Sequence, residues 1–199
     1  MTSDNFQVVR HPFTMREAID EAKRCLHCKV PLCEKGCPIG NHIKEFNYQL
    51  SKGNLGAAME TINEVSNLPA ICGRVCPHEK QCQGHCVLAR KGNPVQIGRI
   101  ESFIADFDTQ MRLTREPVPQ KTRGRIAVIG SGLTVAGDLA RKGFAVTIYE
   151  GQPEPGGVLM WGIPEYRLPK DVVRSEILKI AELGVNFVNN TCGHQRHHC

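Results

Sequence analysis

Eight cysteines lie close together in the first half of this chain, and their spacing limits its possible folds more than any other feature. They form two runs, Cys25-x2-Cys28-x4-Cys33-x3-Cys37-Pro38 and Cys72-x3-Cys76-Pro77-x4-Cys82-x3-Cys86. The N-terminus is polar and lacks the apolar segment of a secretory signal. We therefore expect a cytoplasmic protein, in which so many cysteines bind metal or carry out redox chemistry.

The gaps within the runs favour iron–sulfur clusters. A Cys-Pro pair after a three-residue gap is typical of two-cluster ferredoxins, where that cysteine binds the other cluster. Cys33-x3-Cys37-Pro38 has this ending, so Cys25, Cys28 and Cys33 can surround one cluster while Cys37 serves a second. Zinc sites usually carry paired Cys-x2-Cys units, and only Cys25/Cys28 has that spacing. A zinc-stabilised binding module without redox activity and a disulfide framework remain alternatives.

Helical periodicity predicts a first half made of short helices. A capping-box pattern from Thr14 to Glu17 precedes apolar residues at helical spacing. Further helices are expected at about 41–51 and 54–64, with Pro69 ending the pattern. Asn93 followed by proline predicts the start of a longer amphipathic helix.

The second half has the pattern of a βαβ unit. It predicts a strand at 125–129, a tight turn at 130–132, a helix at 133–142 and a strand at 144–149, followed by a helix at 170–183 and a third strand at 185–189. Glycines in such a turn bring backbone amides to a pyrophosphate, and an acidic residue ending the next strand binds a ribose. Gly130, Gly132 and Glu150 are the candidates.

Three segments resemble a known family: CLHCKVPLCEKGCPIG, ICGRVCPHEKQCQGHC and NPVQIGRIESF. They are similar to the N-terminal iron–sulfur domain shared by the small subunit of bacterial glutamate synthase, dihydropyrimidine dehydrogenase and the flavin subunit of electron-bifurcating ferredoxin:NADP oxidoreductases. The resemblance extends to about residue 190 and implies two interleaved [4Fe-4S] clusters. The implied ligands are Cys25, Cys28, Cys33 and Cys86 for one cluster, and Cys37, Cys76, Cys82 and Glu101 for the other.

Glu101 and Cys72 depart from a simple pattern in which every ligand is a cysteine and every cysteine is a ligand. The family has Gln or Glu at the position of Glu101, which lies at the edge of the apolar stripe of its helix, where a carboxylate can point inward. A solvated residue at that edge is the alternative. Cys72 has no ligand role in the family pattern, so we expect a small buried residue there.

The segment GGVLMWGIPEYRLPK, residues 156–170, resembles the one that follows the FAD-binding βαβ unit in the same family. It implies that Gly157, Val158 and Arg167 contact FAD. The chain departs from the usual G-x-G-x-x-G turn, because Gly132 is followed directly by Leu-Thr-Val, as if three residues with the third glycine were missing. Val135 then stands where close packing requires glycine. A loss of three residues removes about 4.5 Å of helical rise, so we expect impaired FAD binding.

The resemblance implies a function in electron transfer. In the family, hydride from NAD(P)H reduces FAD, and clusters pass electrons to a larger catalytic subunit or a ferredoxin-linked partner. The resemblance is greatest to the small chain of glutamate synthase. Family members continue into an NAD(P)H-binding domain where this chain has a Cys/His tract, so we expect no NAD(P)H oxidation by this chain alone. An inactive truncated product is a further alternative.

Together these patterns predict an α+β multidomain chain. We expect an all-helical iron–sulfur domain at 1–112, a linker at 113–124, a partial Rossmann-like α/β FAD-binding domain at 125–190 and an irregular tail at 191–199. The net charge of +5 is spread without a Lys/Arg run, which gives no indication of nucleic-acid binding. No apolar stretch approaches the length of a membrane span.

Overall fold

The computed structural model describes residues 11–114 and 116–191. These residues form two compact units, the first within Met1–Arg115 and the second within Glu116–Cys199. The first unit is helical, and the second combines helices with a three-stranded sheet, which confirms the α+β class. No helix in this described part is long and apolar enough to cross a membrane. The predicted Cys/His tail from 192 onward lies outside the described residues.

The first unit consists of short helices around an apolar core. Its elements are α1 Met15–Lys23, α2 Leu32–Lys35, α3 Ile43–Ser51, α4 Leu55–Asn63, α5 Pro69–Val75, a 3₁₀ helix Val87–Lys91 and α6 Ile97–Met111. Fully buried side chains from α3, α4 and α6 form the core: Phe46, Leu50, Met59, Ile62, Ile100 and Ile104.

Two helices begin at side-chain caps, and the one at α1 is the capping box that the sequence predicts. At α1, the Glu17 amide donates to the Thr14 hydroxyl, and the Thr14 amide donates to the Glu17 carboxylate at 2.8 Å, which completes the capping box. At α4, the Asn54 side chain accepts a hydrogen bond from the Ala57 amide at 3.2 Å. These helix starts depend on neighbours in sequence, which explains why the pattern predicts them.

The predicted start of α6 is wrong. The helix begins at Ile97 rather than directly after Asn93. Residues 93–96 are instead held by α1 and its C-cap: Arg24 donates to the Asn93 carbonyl at 2.7 Å, and the Gln96 amide donates to the Glu21 carboxylate at 2.8 Å. Hydrogen bonds to distant residues therefore replace the local cap.

Pro69 begins a helix, α5, instead of ending one. Its fixed φ and missing N–H suit the first helical position, where no intrahelical donor is needed. The sequence patterns also do not predict α2 or the 3₁₀ helix, because four or five residues are too few to show a helical period.

The second unit contains the expected βαβ arrangement. Its elements are β1 Arg125–Ile129, α7 Leu133–Arg141, β2 Ala145–Tyr149, α8 Val158–Trp161, α9 Lys170–Glu182 and β3 Asn186–Val188. The strands are parallel in the order β1-β2-β3, with Ile126 opposite Val146 and Ile148 opposite Phe187. Val146 and Ile148 are buried at the centre of this sheet.

The predicted packing role of Val135 is wrong, because its side chain is exposed. The buried face of α7 is formed by Leu133, Ala136, Gly137 and Ala140. Since the helix begins directly after Gly132, residue 135 lies on its outer side. Small residues further along the helix therefore provide the close contact.

Candidate functional site

Four thiols from the two cysteine runs line one cavity in the first unit. Cys25, Cys28, Cys33 and Cys86 surround a volume of about 370 Å³, counting its opening to solvent. Three of them lie between α1 and the end of α2, and Cys86 is the residue before the 3₁₀ helix. We call these four residues the first thiol set. The fold thus brings a cysteine of the second run to three cysteines of the first.

The surroundings of this set suit a cationic group. Burial and, to a smaller extent, neighbouring thiols of the same set raise the pKa of Cys25 and raise that of Cys33 to about 12. A thiolate in this position needs a nearby positive charge, and a bound metal deprotonates its coordinating thiols. Soft sulfur donors of this kind select zinc or iron–sulfur clusters. The donor set therefore fits the cofactor that the sequence predicts.

The other implied ligands form a second group, Cys37, Cys76, Cys82 and Glu101, which we call the second ligand set. Cys82 is buried, and its pKa is raised to about 12, first by burial and next by the Glu101 carboxylate, with Cys37 and Cys76 adding to the effect. Each of the other three groups is thus close enough to Cys82 to affect its pKa. Cys76 is the C-cap of α5, and Glu101 lies on α6.

Glu101 points into the protein. Its residue surface is only 6% exposed, and its carboxylate accepts a hydrogen bond from Asn41 Nδ2 at 3.2 Å. A buried carboxylate is costly unless it is hydrogen-bonded and close to a positive charge. The burial of Glu101 close to Cys82 fits a ligand position, and the ligand role itself stays a prediction.

Cys72 lies beside the second ligand set, which the sequence did not predict. It is half-buried and precedes Cys76 by one helical turn on α5. A hydrogen bond between the two side chains raises the pKa of Cys72 and lowers that of Cys76, and the Glu101 carboxylate raises the pKa of Cys72 further. The i,i+4 spacing is the sequence signal for this contact, but it has meaning only in a helix, and the sequence predicts no helix directly after Pro69.

A close helix contact positions the second ligand set. A Cβ on Gly73 of α5 would lie 2.6 Å from the Ser102 amide nitrogen and 2.7 Å from the Gly98 carbonyl oxygen, both in the backbone of α6. Only glycine allows the backbones to approach this closely. The contact holds α5, which carries Cys72 and ends at the C-cap Cys76, against α6, which carries Glu101.

Replacing Gly73 with alanine is expected to push α5 away from α6. Overpacking of this kind costs about 1–3 kcal/mol, and we expect the second ligand set to bind less iron. The measurements are chemical denaturation and iron content. Gly56→Ala is the matched control, because a Cβ at Gly56 of α4 meets nothing within 4 Å. Equal stability and iron content in the two variants would contradict the prediction.

Disulfides and a single zinc ion, the two alternatives to iron–sulfur clusters, each require a particular arrangement of the cysteines. All eight cysteines in the described residues are free thiols. A mononuclear zinc site needs its ligands about 2.0–2.3 Å from one point. Across 11–114 and 116–191, no group of three or more His, Cys, Asp or Glu side chains surrounds one point in the way that the ligands of a single metal ion do.

In the second unit, four of the six predicted flavin residues lie beside Ser131: Gly130, Gly132, Glu150 and Gly157. The Ser131 hydroxyl donates to the buried Glu150 carboxylate, and the Gly156 amide donates to Ser131 Oγ at 3.0 Å. Gly130 and Gly157 both adopt positive φ, +76° and +48°. The turn, the end of β2 and the start of the 156–170 segment thus converge.

This convergence fits FAD poorly. The amides of Gly132 and Leu133 donate to the carbonyls of Gly130 and Ser131, both at 2.8 Å, so they are used within the turn. In a dinucleotide site such amides face the pyrophosphate. The Glu150 carboxylate, expected to bind a ribose, already accepts from Ser131 and from the Gln152 amide. The predicted contacts Val158 and Arg167 are exposed.

Comparison with known proteins gives a family match over the first unit. The model of a family described as dihydropyrimidine dehydrogenase domain II, 4Fe-4S cluster, matches residues 2–113. Over 181 residues the chain is 42% identical to the NAD-dependent dihydropyrimidine dehydrogenase subunit PreT of Salmonella typhimurium, covering 89% of this chain and 44% of that protein.

Similarity also extends to other oxidoreductases. The glutamate synthase [NADPH] small chain of Escherichia coli is 35% identical over 191 residues, which cover 94% of this chain and 40% of that protein. The putative oxidoreductase AegA of the same organism is 36% identical over 191 residues, 93% of this chain and 29% of that protein. The chain thus spans less than half the length of these curated relatives.

Proposed function

We propose a function from the premise that this chain belongs to the family described as dihydropyrimidine dehydrogenase domain II, 4Fe-4S cluster. The chain is the electron-transfer part of an NAD(P)H-dependent flavin iron–sulfur oxidoreductase. The observation that carries this proposal is the cavity shared by Cys25, Cys28, Cys33 and Cys86. A cavity lined by four partly buried thiols from two distant chain segments suits one cuboidal cluster better than a surface thiol pair.

Two [4Fe-4S] clusters are proposed, one in each set. When bound, such clusters accept and release single electrons at a potential set by charge, hydrogen bonds and exposure. The chain's residues hold and shield them: the first thiol set opens to solvent, whereas Cys82 and Glu101 are buried. Glu101 replaces a thiolate by a carboxylate oxygen, a harder donor, so the two sites should differ in potential.

The names of the relatives suggest the partner. They are named as a subunit of an NAD-dependent dihydropyrimidine dehydrogenase and as the small chain of an NADPH-dependent glutamate synthase. By this likeness we propose that electrons leave the chain for a larger catalytic subunit, or for a ferredoxin-linked partner. Electrons from NAD(P)H enter in the complete oxidoreductase through a flavin.

Anaerobic purification tests the proposal. We expect a brown protein with about eight irons and matching sulfide, and an EPR signal from each cluster on reduction. A colourless protein that contains only zinc would contradict the proposal and favour the alternative of a non-redox binding module. Metal and sulfide analysis of the same sample distinguishes the two.

Replacing Glu101 with alanine is expected to remove the second cluster, leaving about four of about eight irons. Without the carboxylate the second ligand set has three thiols and one open corner. Glu101→Gln is the matched control: it keeps an oxygen donor, so we expect full iron content with an altered potential, because one negative charge is lost. Full iron and an unchanged EPR spectrum in the alanine variant would exclude Glu101 as a ligand.

Flavin binding is expected to be weak, because the Gly132 and Leu133 amides already donate to carbonyls of the turn. Reconstitution with FAD should leave well under one flavin per chain. Insertion of Ala-Ala-Gly between Gly132 and Leu133 restores the usual spacing of glycines and is expected to raise the flavin content towards one. Insertion of Ala-Ala-Val is the control, since it lacks the third glycine. Stoichiometric flavin in the unaltered chain would show that the short turn suffices.

A further inference from the structure

An exposed apolar surface surrounds the opening of the cavity of the first thiol set. Leu26, Leu32 and Val87 line this cavity and are exposed to solvent, and Val30 is an exposed neighbour in the same loop. We call these four residues the apolar rim. Leu26 is 59% exposed although it lies directly after a proposed ligand, Cys25. Clustered exposed apolar side chains of this kind are typical of interaction sites.

Basic residues border the apolar rim. Lys29 and Lys35 are exposed on the loop and α2 that carry Leu26 and Leu32, and Arg90 and Lys91 are exposed on the 3₁₀ helix that begins at Val87. The acidic residue of this region, Glu34, is half-buried and accepts a hydrogen bond from the Lys44 amide at 2.9 Å. The border is therefore positively charged.

We propose that the apolar rim and its basic border are the docking surface for an acidic electron-transfer protein. An apolar centre within a charged border is the usual anatomy of a protein interface, and complementary charge steers the encounter. The inference rests on the proposed function, because it places the first thiol set beneath the interface. One electron leaves the chain here and reduces the oxidised partner, and no bond is made or broken.

Binding to a probe of known charge tests the surface without electron transfer. The probe is zinc-substituted plastocyanin, which is small, acidic and redox-inert, labelled with ¹⁵N and mixed with the anaerobically purified chain. At low salt we expect the probe's NMR signals to broaden when the chain is added. At about 0.3 M salt the broadening should disappear, because surface charges are then screened within a few ångströms. Leu26→Asp and Val87→Asp should weaken binding at least about fivefold, since a carboxylate in the rim repels an acidic partner.

A matched variant and a second readout separate docking from cluster damage. Leu178→Asp is the control, because Leu178 lies on α9 of the other unit and is 62% exposed, close to the value of Leu26. After reduction with dithionite, native copper plastocyanin should be reduced more slowly by the two rim variants than by Leu178→Asp, and iron analysis of each variant should show that it keeps full iron. Rim variants with full iron that bind the probe as tightly as Leu178→Asp would overturn the docking surface alone. Purified wild-type chain without iron would overturn the proposed function, and the surface with it.

Discussion

Removing iron is expected to lower the free energy of unfolding of the first unit by at least about 5 kcal/mol, since structural metals in small domains can contribute about 10–16 kcal/mol. Residues 24–42 and 76–96 contain the seven proposed cysteine ligands. The regular structure in these segments is limited to α2 and the 3₁₀ helix. Most of their other backbone hydrogen bonds join near neighbours in turns, such as the bond from the Cys37 amide to the Glu34 carbonyl at 3.1 Å. The bound metal is therefore expected to tie the two segments to each other.

Hydrogen exchange measures this effect region by region. Without iron, amides in 24–42 and 76–96 should exchange much faster, while those in α3, α4 and α6 keep part of their protection because these helices share an apolar core. Unfolding of the second unit is the internal control and should not change. The same exchange pattern with and without iron would contradict a structural role for the metal.

Single cysteine replacements are expected to remove one cluster at a time. Cys33→Ala leaves three thiols around the cavity of the first thiol set, and we expect about four of about eight irons to remain. Cys82→Ala should lose the same amount from the second ligand set. The two variants should differ in EPR spectrum, because each retains a different cluster. The measurement is iron and sulfide content together with the EPR spectrum of the reduced protein.

Cys72→Ala is the control that separates proximity from ligation. The Cys72 thiol contacts Cys76 and lies near Glu101, so it is the alternative donor for the second ligand set. We expect the variant to keep about eight irons. Loss of four irons from Cys72→Ala, together with full iron in Glu101→Ala, would transfer the fourth ligand position from Glu101 to Cys72.

Sequence patterns predicted the elements that depend on near neighbours. Thr14 and Glu17 cap α1 through residues three apart, and β1 has the predicted bounds because its apolar run is bordered by a glycine turn. Residues 93–96 were not predictable in this way. Their positions depend on Arg24 and Glu21, about 70 residues earlier in the chain.

In the candidate site too, local spacing predicts some of the groupings, and the fold alone produces the others. Local spacing separates Cys37 from Cys25, Cys28 and Cys33, because a three-residue gap precedes Cys37 and a proline follows it. The approach of Cys86 to this group is a property of the fold, and only the family resemblance indicated it. The helical stripe placed Glu101 at the edge of the core, whereas its approach to Cys82, 19 residues earlier in the chain, is a property of the fold.

The central claim is that the two clusters are interleaved, each with ligands from both cysteine runs. Iron content of two double variants tests it most directly. In Cys33→Ala/Cys86→Ala both changes fall in the first thiol set, so we predict that about four irons remain, as in either single variant. In Cys33→Ala/Cys37→Ala the changes fall in both sets, so we predict almost no iron. The reverse result, no iron in the first double variant and about four in the second, would show one cluster per run and contradict the account.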